Sequence, residues 1–439
     1  MIDASLTIHP EMLHGGRRPT VEHPFSLAAG DDYNVTRWTI SAHAGTHVEA
    51  PLHTVADGLA INALPLELFV GPARVLDLTF VDGEEVSAAD LVRAGLGDDA
   101  RVLLRTRNSA TVLREREKAE AWVGVAPDAA ALLVERGVRL LGVDYLTVEA
   151  PAREATFDAH RILNGAGVAL IESVDLSAVE AGLVELICPP LRLAAEAAPA
   201  RVVIVPGRAA GGAGAAAGAL IDISIPLGEA TLTWGMAPQR IDVETLAGGD
   251  HCNVTRWYLG SHSGTHVDAP IHYSDGARTI DDVPLETLAG RCQVLDVTAA
   301  SADITAADLL AAGLGDAPRV LLKTRNSDER LLHGDARPEQ WIGLSGDGAK
   351  LLVERGVRLV GIDFLNLEGK EQSAGGWAAH HVLCDADVAI LEAIDLAAVE
   401  AGDYELWALP LPLRGAEAAP ARAFLRPLVA GDAGAAVSP

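Results

Sequence analysis

Aromatic side chains are scarce in this chain, making up 4% of its 439 residues. Its cores must therefore be filled by Leu, Val, Ile and Ala, and any cluster of rings stands out. Positive charge is short as well. Lys and Arg number 34 against 61 Asp and Glu, a formal net charge of −27, which is the wrong sign for a nucleic-acid or anionic-membrane partner. No apolar run reaches the ~20 residues that a membrane-spanning helix needs. The beginning, Met1-Ile2-Asp3-Ala4-Ser5, has neither the basic nor the apolar segment of a secretory signal. Cys188, Cys252, Cys292 and Cys384 show no Cys-x-x-Cys spacing. They argue against a disulfide framework and for reduced, mostly structural thiols in a cytoplasmic protein. What is left, 49% hydrophobic and 22% charged, is a globular chain long enough for two or three domains.

The chain repeats itself. Asn34-Val-Thr-Arg-Trp38 returns as Asn253-Val-Thr-Arg-Trp257, and Thr106-Arg-Asn-Ser109 as Thr324-Arg-Asn-Ser327. Residues 132–140 are repeated letter for letter at 351–359, and Glu196-Ala-Ala-Pro-Ala-Arg201 returns as Glu417-Ala-Ala-Pro-Ala-Arg422. The near-constant offset marks one domain, duplicated and fused, rather than a solenoid. The periodic pattern gives way to Gly and Ala between Pro206 and Gly218. The expected organisation is a first copy over 1–208, a Gly/Ala-rich tether over 209–218 and a second copy over 219–439, ending in a low-complexity tail from Ala430. Strands alternate with helices in each copy, so the expected class is α/β with polar groups at strand ends. One helix is predicted around Ala88–Ala94, and its counterpart around Ala306–Ala312, closed by Gly95 and Gly313 as C-caps.

The densest chemistry lies in 262–272, which holds His262, His266, Asp268 and His272; residues 43–53 hold His43, His47, Glu49 and His53 in the same frame. Gly and Thr between the first two histidines, and a following Pro, disfavour a helix interior. The picture is a strand end feeding a tight loop whose side chains converge. One histidine is more often packing than function. Three with a carboxylate, written twice, point to metal or proton chemistry, and a nitrogen–oxygen donor set without thiolate suits zinc, manganese or iron. Glu49 in place of Asp lengthens the first copy's carboxylate by one methylene.

A second cluster follows: His160 with Glu172, and His380 with Glu392, twelve residues apart each time. Each glutamate ends an apolar run, a costly place for a charge unless a cation compensates it. Arg107 and Arg325 follow strand ends, where a guanidinium can grip a substrate carboxylate or serve a structural ion pair. Asp144 and Asp363 close central strands, either to orient a ligand histidine or to cap a turn. At the expected mouths the copies differ: Trp234, Trp377, His381 and Trp407 stand against His14, Phe157, Arg161 and Ile187.

The pattern His-x-Gly-Thr-His-x-Asp-x-Pro-x-His, with the later His-x12-Glu spacing, resembles the metal-dependent cyclase/kynurenine formamidase family. The likeness covers nearly all of both copies. It implies a swivelling β/β/α fold in two tandem copies and one or two divalent metals per site, zinc first and manganese second. It also implies that His262, His266, Asp268, His380 and Glu392 hold metal, with His272 as acid–base residue. In the first copy the same roles fall to His43, His47, Glu49, His160 and Glu172, with His53. Arg325, Arg107 and Trp234 are the candidate substrate contacts. Because that family is commonly dimeric, the fused pair is expected to imitate a dimer within one chain, with further self-association open. The implied function is hydrolysis of an amide-type C–N bond in a small, aromatic substrate, of arylformamidase character. The alternatives are cyclisation or dehydration of a polyketide-like intermediate, and metal-bound ligand binding without catalysis.

Overall fold

The computed structural model describes residues 1–12, 17–113, 118–208, 219–235, 237–334, 338–370 and 376–428. The tether expected at 209–218, the tail from 430 and the mouth candidate His14 lie outside these residues. Two compact units emerge. One gathers Met1–Thr20, Thr39–Ala215 and Arg240–Tyr258; the other gathers Val21–Trp38, Ala216–Gln239 and Leu259–Pro439. The units thus follow the two copies except at one segment of each, 21–38 and 240–258, which is counted with the opposite copy.

In the first unit a nine-stranded sheet runs Ile2–Asp3, Val203–Pro206, Gly182–Ile187, Val70–Asp77, Arg101–Arg105, Leu140–Val143, Ala169–Glu172, His47–Glu49, Ala197–Pro199. Its centre is parallel, from Val70–Asp77 across to Ala169–Glu172. These strands are short runs of Val, Leu and Ile, as strands buried on both faces tend to be. In the second unit the corresponding eight-stranded sheet closes on itself, because Ala418–Pro427 pairs with both His266–Asp268 and Gly402–Pro410. Each unit is therefore α/β, built on the same strand order, as the repeat predicts.

Helices cover one face of each sheet. Ala88–Arg93 opens with a capping box in which Ser87 and Asp90 bond each other's backbone N–H, and Thr305 with Asp308 does the same for Ala306–Ala311. Gly95 and Gly313 follow at φ 87° and 83°, a left-handed turn that glycine adopts without a Cβ penalty. Leu91, Leu133 and Leu163 from the helices pack on Leu76, Val102, Leu104, Leu141 and Leu170 from the strands, with the matching set in the second unit. Among the described residues no helix is long and apolar enough to cross a membrane. All four cysteines are free and buried.

The Thr-Arg-Asn-Ser turns belong to this scaffold. Asp144 accepts hydrogen bonds from the Thr106 N–H and hydroxyl, each at 2.8 Å, and from the Ser109 N–H and hydroxyl at 3.1 and 2.9 Å. Asp363 takes the Thr324 N–H and hydroxyl and the Ser327 N–H in the same way. These aspartates tie a turn to a strand end; of the two roles the sequence allowed them, turn capping is the one seen.

Candidate metal centres

Strand pairing assembles each cluster. His47–Glu49 runs antiparallel to Ala169–Glu172, and the register sets His47 opposite Glu172; in the second unit it sets His266 opposite Glu392. Residues that are far apart in sequence thereby become cross-strand neighbours. The tight turn before each strand needs Gly45 and Gly264, at φ 63° and 65°, and a Cβ on Gly45 would strike Ile8 at 2.8 Å. The turn's carbonyl is used as well. His47 Nδ1 lies 3.0 Å from the Gly45 carbonyl and His266 Nδ1 lies 2.8 Å from that of Gly264, so each Nδ1–H donates there and Nε2 faces the cluster.

In the second unit His266 Nε2 stands 3.4 Å from Asp268 Oδ1 and 3.3 Å from Glu392 Oε2. His380 Nε2 stands 3.7 Å from Asp268 Oδ2 and 3.4 Å from Glu392 Oε1. His262 Nδ1 reaches Asp268 Oδ1 at 2.9 Å. In the first unit His47 Nε2 lies 3.5 Å from Glu49 Oε1 and 3.6 Å from Glu172 Oε2, and His160 Nε2 lies 3.2 and 3.5 Å from Glu49 Oε2 and Glu172 Oε1. His43 Nδ1 reaches Glu49 Oε1 at 2.8 Å. Donors held about 2.1 Å from one tetrahedral cation stand about 3.4 Å from each other, so most of these separations suit a shared ion. The sets His47, Glu49, Glu172 and His262, His266, Asp268 each bring their donor atoms within 4.8 Å of one another. Oδ2 of Asp268 and Nε2 of His266 are buried with no hydrogen-bond partner, a costly state that a divalent cation relieves. The residues present therefore fit a metal. The longer Glu49 still turns one oxygen to His43 and His47 and the other to His160, as Asp268 does toward His262 and His380.

Four carboxylates that were not singled out from the sequence complete the clusters. His160 Nδ1 lies 3.0 Å from Glu149, and His380 Nδ1 bonds Glu368. His43 Nε2 and His262 Nε2 each lie 3.3 Å from a further carboxylate, Glu196 and Glu417. Burial opposes a charge on His43, yet Glu196 and Glu49 hold its pKa up at about 10; Asp268 and Glu417 do the same for His262. Glu196 and Glu417 had been visible only as part of a repeated phrase, and nothing in their spacing marked them.

Segments 21–38 and 240–258 reach these carboxylates. Glu417 accepts from the Thr36 N–H at 2.8 Å and its hydroxyl at 2.9 Å; Glu196 accepts from the Thr255 N–H at 2.7 Å and its hydroxyl at 3.0 Å. The same segments orient the last histidine of each loop. His53 Nδ1 bonds the Asn253 carbonyl at 2.9 Å and His272 Nδ1 that of Asn34 at 2.8 Å. Burial, with His43 and His160 adding to it, keeps His53 neutral with a pKa of about 4; burial and His262 bring His272 to about 3.

The three candidate substrate contacts are engaged in other ways. Arg107 donates to the Val81 and Gly83 carbonyls at 2.7 and 2.9 Å. Arg325 pairs with Glu329 at 3.8 Å. Trp234 donates to the Leu365 carbonyl at 2.9 Å and meets Trp341 edge-on. Trp407, a mouth candidate, is fully buried and stacks on Phe424. Phe157 and Trp377, in contrast, do stand beside His160 and His380, with ring centroids 5.2 and 6.0 Å away.

Several known proteins are similar to this chain. A solved structure described as a potential metal-dependent hydrolase with cyclase activity is 32% identical over 48% of this chain and 98% of its own, with a TM-score of 0.42. A predicted metal-dependent hydrolase from Bacillus stearothermophilus is 32% identical over 47% and 98%, with a TM-score of 0.41. Isatin hydrolase A from Labrenzia aggregata, bound to benzyl benzoate, is 25% identical over 46% and 92%, with a TM-score of 0.41. The cyclase family model matches residues 2–150 and again residues 221–369, more than half of the chain. The chain belongs to the cyclase family and carries that family's domain twice.

Proposed function

We propose that each unit is a metal-dependent hydrolytic centre that opens an amide-type C–N bond of a small substrate. The observation that carries this reading is the pair of buried clusters, each with four imidazoles and four carboxylates and donor separations that match a shared cation. His262, His266, Asp268, His380 and Glu392 would hold the metal in the second unit; His43, His47, Glu49, His160 and Glu172 would hold it in the first. Zinc suits the mixed nitrogen–oxygen donors, and manganese is the alternative. A cation bound there supplies Lewis acidity, which polarises a carbonyl and brings the pKa of water down toward ~7.

The chain's own residues do the rest. His272 and His53, neutral and with Nδ1 fixed to a backbone carbonyl, turn Nε2 into their clusters. Each is placed to accept a proton from water and return it to the departing nitrogen. Glu368 and Glu149 hold the ligand histidines at Nδ1, which fixes ring orientation and raises basicity. His262 and His43, with side chains 18% and 11% exposed, mark the side from which substrate and water enter.

The test is metal analysis combined with an amide-hydrolysis assay on the full chain. Wild type is expected to carry metal in both units, and His47→Ala and His266→Ala each to lose about half of it. Chelator is expected to abolish acid release from an N-formyl arylamine. Metal retained in full by both variants would refute the site; metal present with no turnover of any amide would refute the hydrolase reading.

A further inference from the structure

In a chain so poor in aromatics, four rings gather at one cluster. Tyr273 lies 4.4 Å from His272 and 4.7 Å from His380, centroid to centroid. Tyr33 lies 5.8 Å from both Tyr273 and His272 and 6.1 Å from Trp377. Phe25 continues the wall outward, 5.4 Å from Tyr33. The wall is graded from Tyr273, 6% exposed, to Phe25, 42% exposed, as the side of a pocket open to solvent would be. Trp377 leads its helix at φ 59°. A non-glycine residue held there persists where the surroundings demand it, and its counterpart Phe157 is held the same way at φ 55°.

The repeat shows what replaces this wall in the first unit. Phe25 becomes Glu244, Tyr33 becomes Cys252 and Tyr273 becomes Thr54; only Trp377 keeps a ring, as Phe157. Two of the replacements touch each other, the Cys252 thiol lying 3.5 Å from Glu244, while Thr54 accepts from the Asn164 side chain at 3.1 Å. Phe157 is stacked against His251, centroids 6.3 Å apart. Three contacting positions have thus changed together, from apolar rings to polar groups, beside a donor cluster that has changed by one methylene.

We infer that the two centres divide their substrates by class. The second takes a planar aromatic molecule against Tyr33, Tyr273 and Trp377, and the first takes a small, polar, non-aromatic one. This rests on the reading of both clusters as substrate sites. Offset or edge-to-face ring contacts add to the area a planar ligand buries, and Glu244, Cys252 and Thr54 offer no such surface.

The test is calorimetric titration of the full-length protein with benzamide, which needs no turnover. One benzamide is expected per chain. The Tyr33→Cys, Tyr273→Thr double variant is expected to bind it at least tenfold more weakly, with Tyr33→Phe close to wild type as the check that the fold survives. Thr54→Tyr with Cys252→Tyr is expected to raise the stoichiometry toward two. Two equal benzamide sites in wild type, no binding, or full affinity in the double variant would each overturn the division. Single-site binding without any amide turnover would instead refute the hydrolase reading and leave the division standing.

Discussion

Thr36→Val is the sharpest probe of the link between the segment 21–38 and the second cluster. The change is nearly isosteric and removes one hydroxyl. That hydroxyl donates to Glu417 at 2.9 Å and accepts from the Trp38 indole N–H at 3.1 Å. All three residues are buried, so the variant leaves one carboxylate oxygen and one indole N–H short of a partner. Each such orphan costs about 1–3 kcal/mol, so the two together give about 2–6 kcal/mol. Thr255→Val, its counterpart, is expected to cost less by one such orphan, about 1–3 kcal/mol, because the Trp257 indole N–H already has no hydrogen-bond partner and only Glu196 is affected. The assay is urea unfolding followed by tryptophan fluorescence, with free energies read per transition because two units need not unfold together. Equal losses in the two variants, or a loss under 0.5 kcal/mol for Thr36→Val, would refute the reasoning.

Two further outcomes are expected. A Cβ at Gly343 would fall 1.8 Å from the Gly369 N and 2.2 Å from the Glu368 carbonyl carbon, so Gly343→Ala must push aside the segment whose Glu368 holds His380. Metal analysis is expected to show loss from the second unit alone, whereas Gly228→Ala, with open space around it, leaves the content unchanged; full retention in Gly343→Ala would contradict this. Burial raises Asp363 to about 6 against its hydrogen-bond donors. An acid raised on folding lends stability that is fully present below its unfolded pKa of about 3.8 and is lost as pH rises through about 6, up to about 3 kcal/mol. The stability gap between wild type and Asp363→Asn is therefore expected to narrow from pH 5 to 7. A widening gap would mean that the donors outweigh burial.

The duplication, the α/β alternation and the C-caps at Gly95 and Gly313 were legible because each is local: a repeated phrase, a period, a glycine at a helix end. The histidine loops were legible because their donors lie within eleven residues, and His160 with Glu172 because the spacing recurs. Glu149, Glu196, Glu368 and Glu417 were not, since their place depends on register and on which strand lies beside which. Arg107 and Arg325 stayed ambiguous for a related reason. A guanidinium just past a strand end reads the same whether it faces a ligand or a neighbouring loop carbonyl. The ring wall was half visible through Trp377. Tyr33 and Phe25 were hidden because they lie in a segment that folds with the opposite copy.

That exchange constrains how the molecule can be divided. A protein cut within residues 209–218 would give two fragments, and neither would own a whole histidine–carboxylate cluster with its supports. The first would keep His53 without the Asn253 carbonyl that aims it, and the second His272 without Asn34. Substitutions act across the repeat in the same way: a change in segment 21–38 falls on the cluster of the second copy, and one in 240–258 on that of the first.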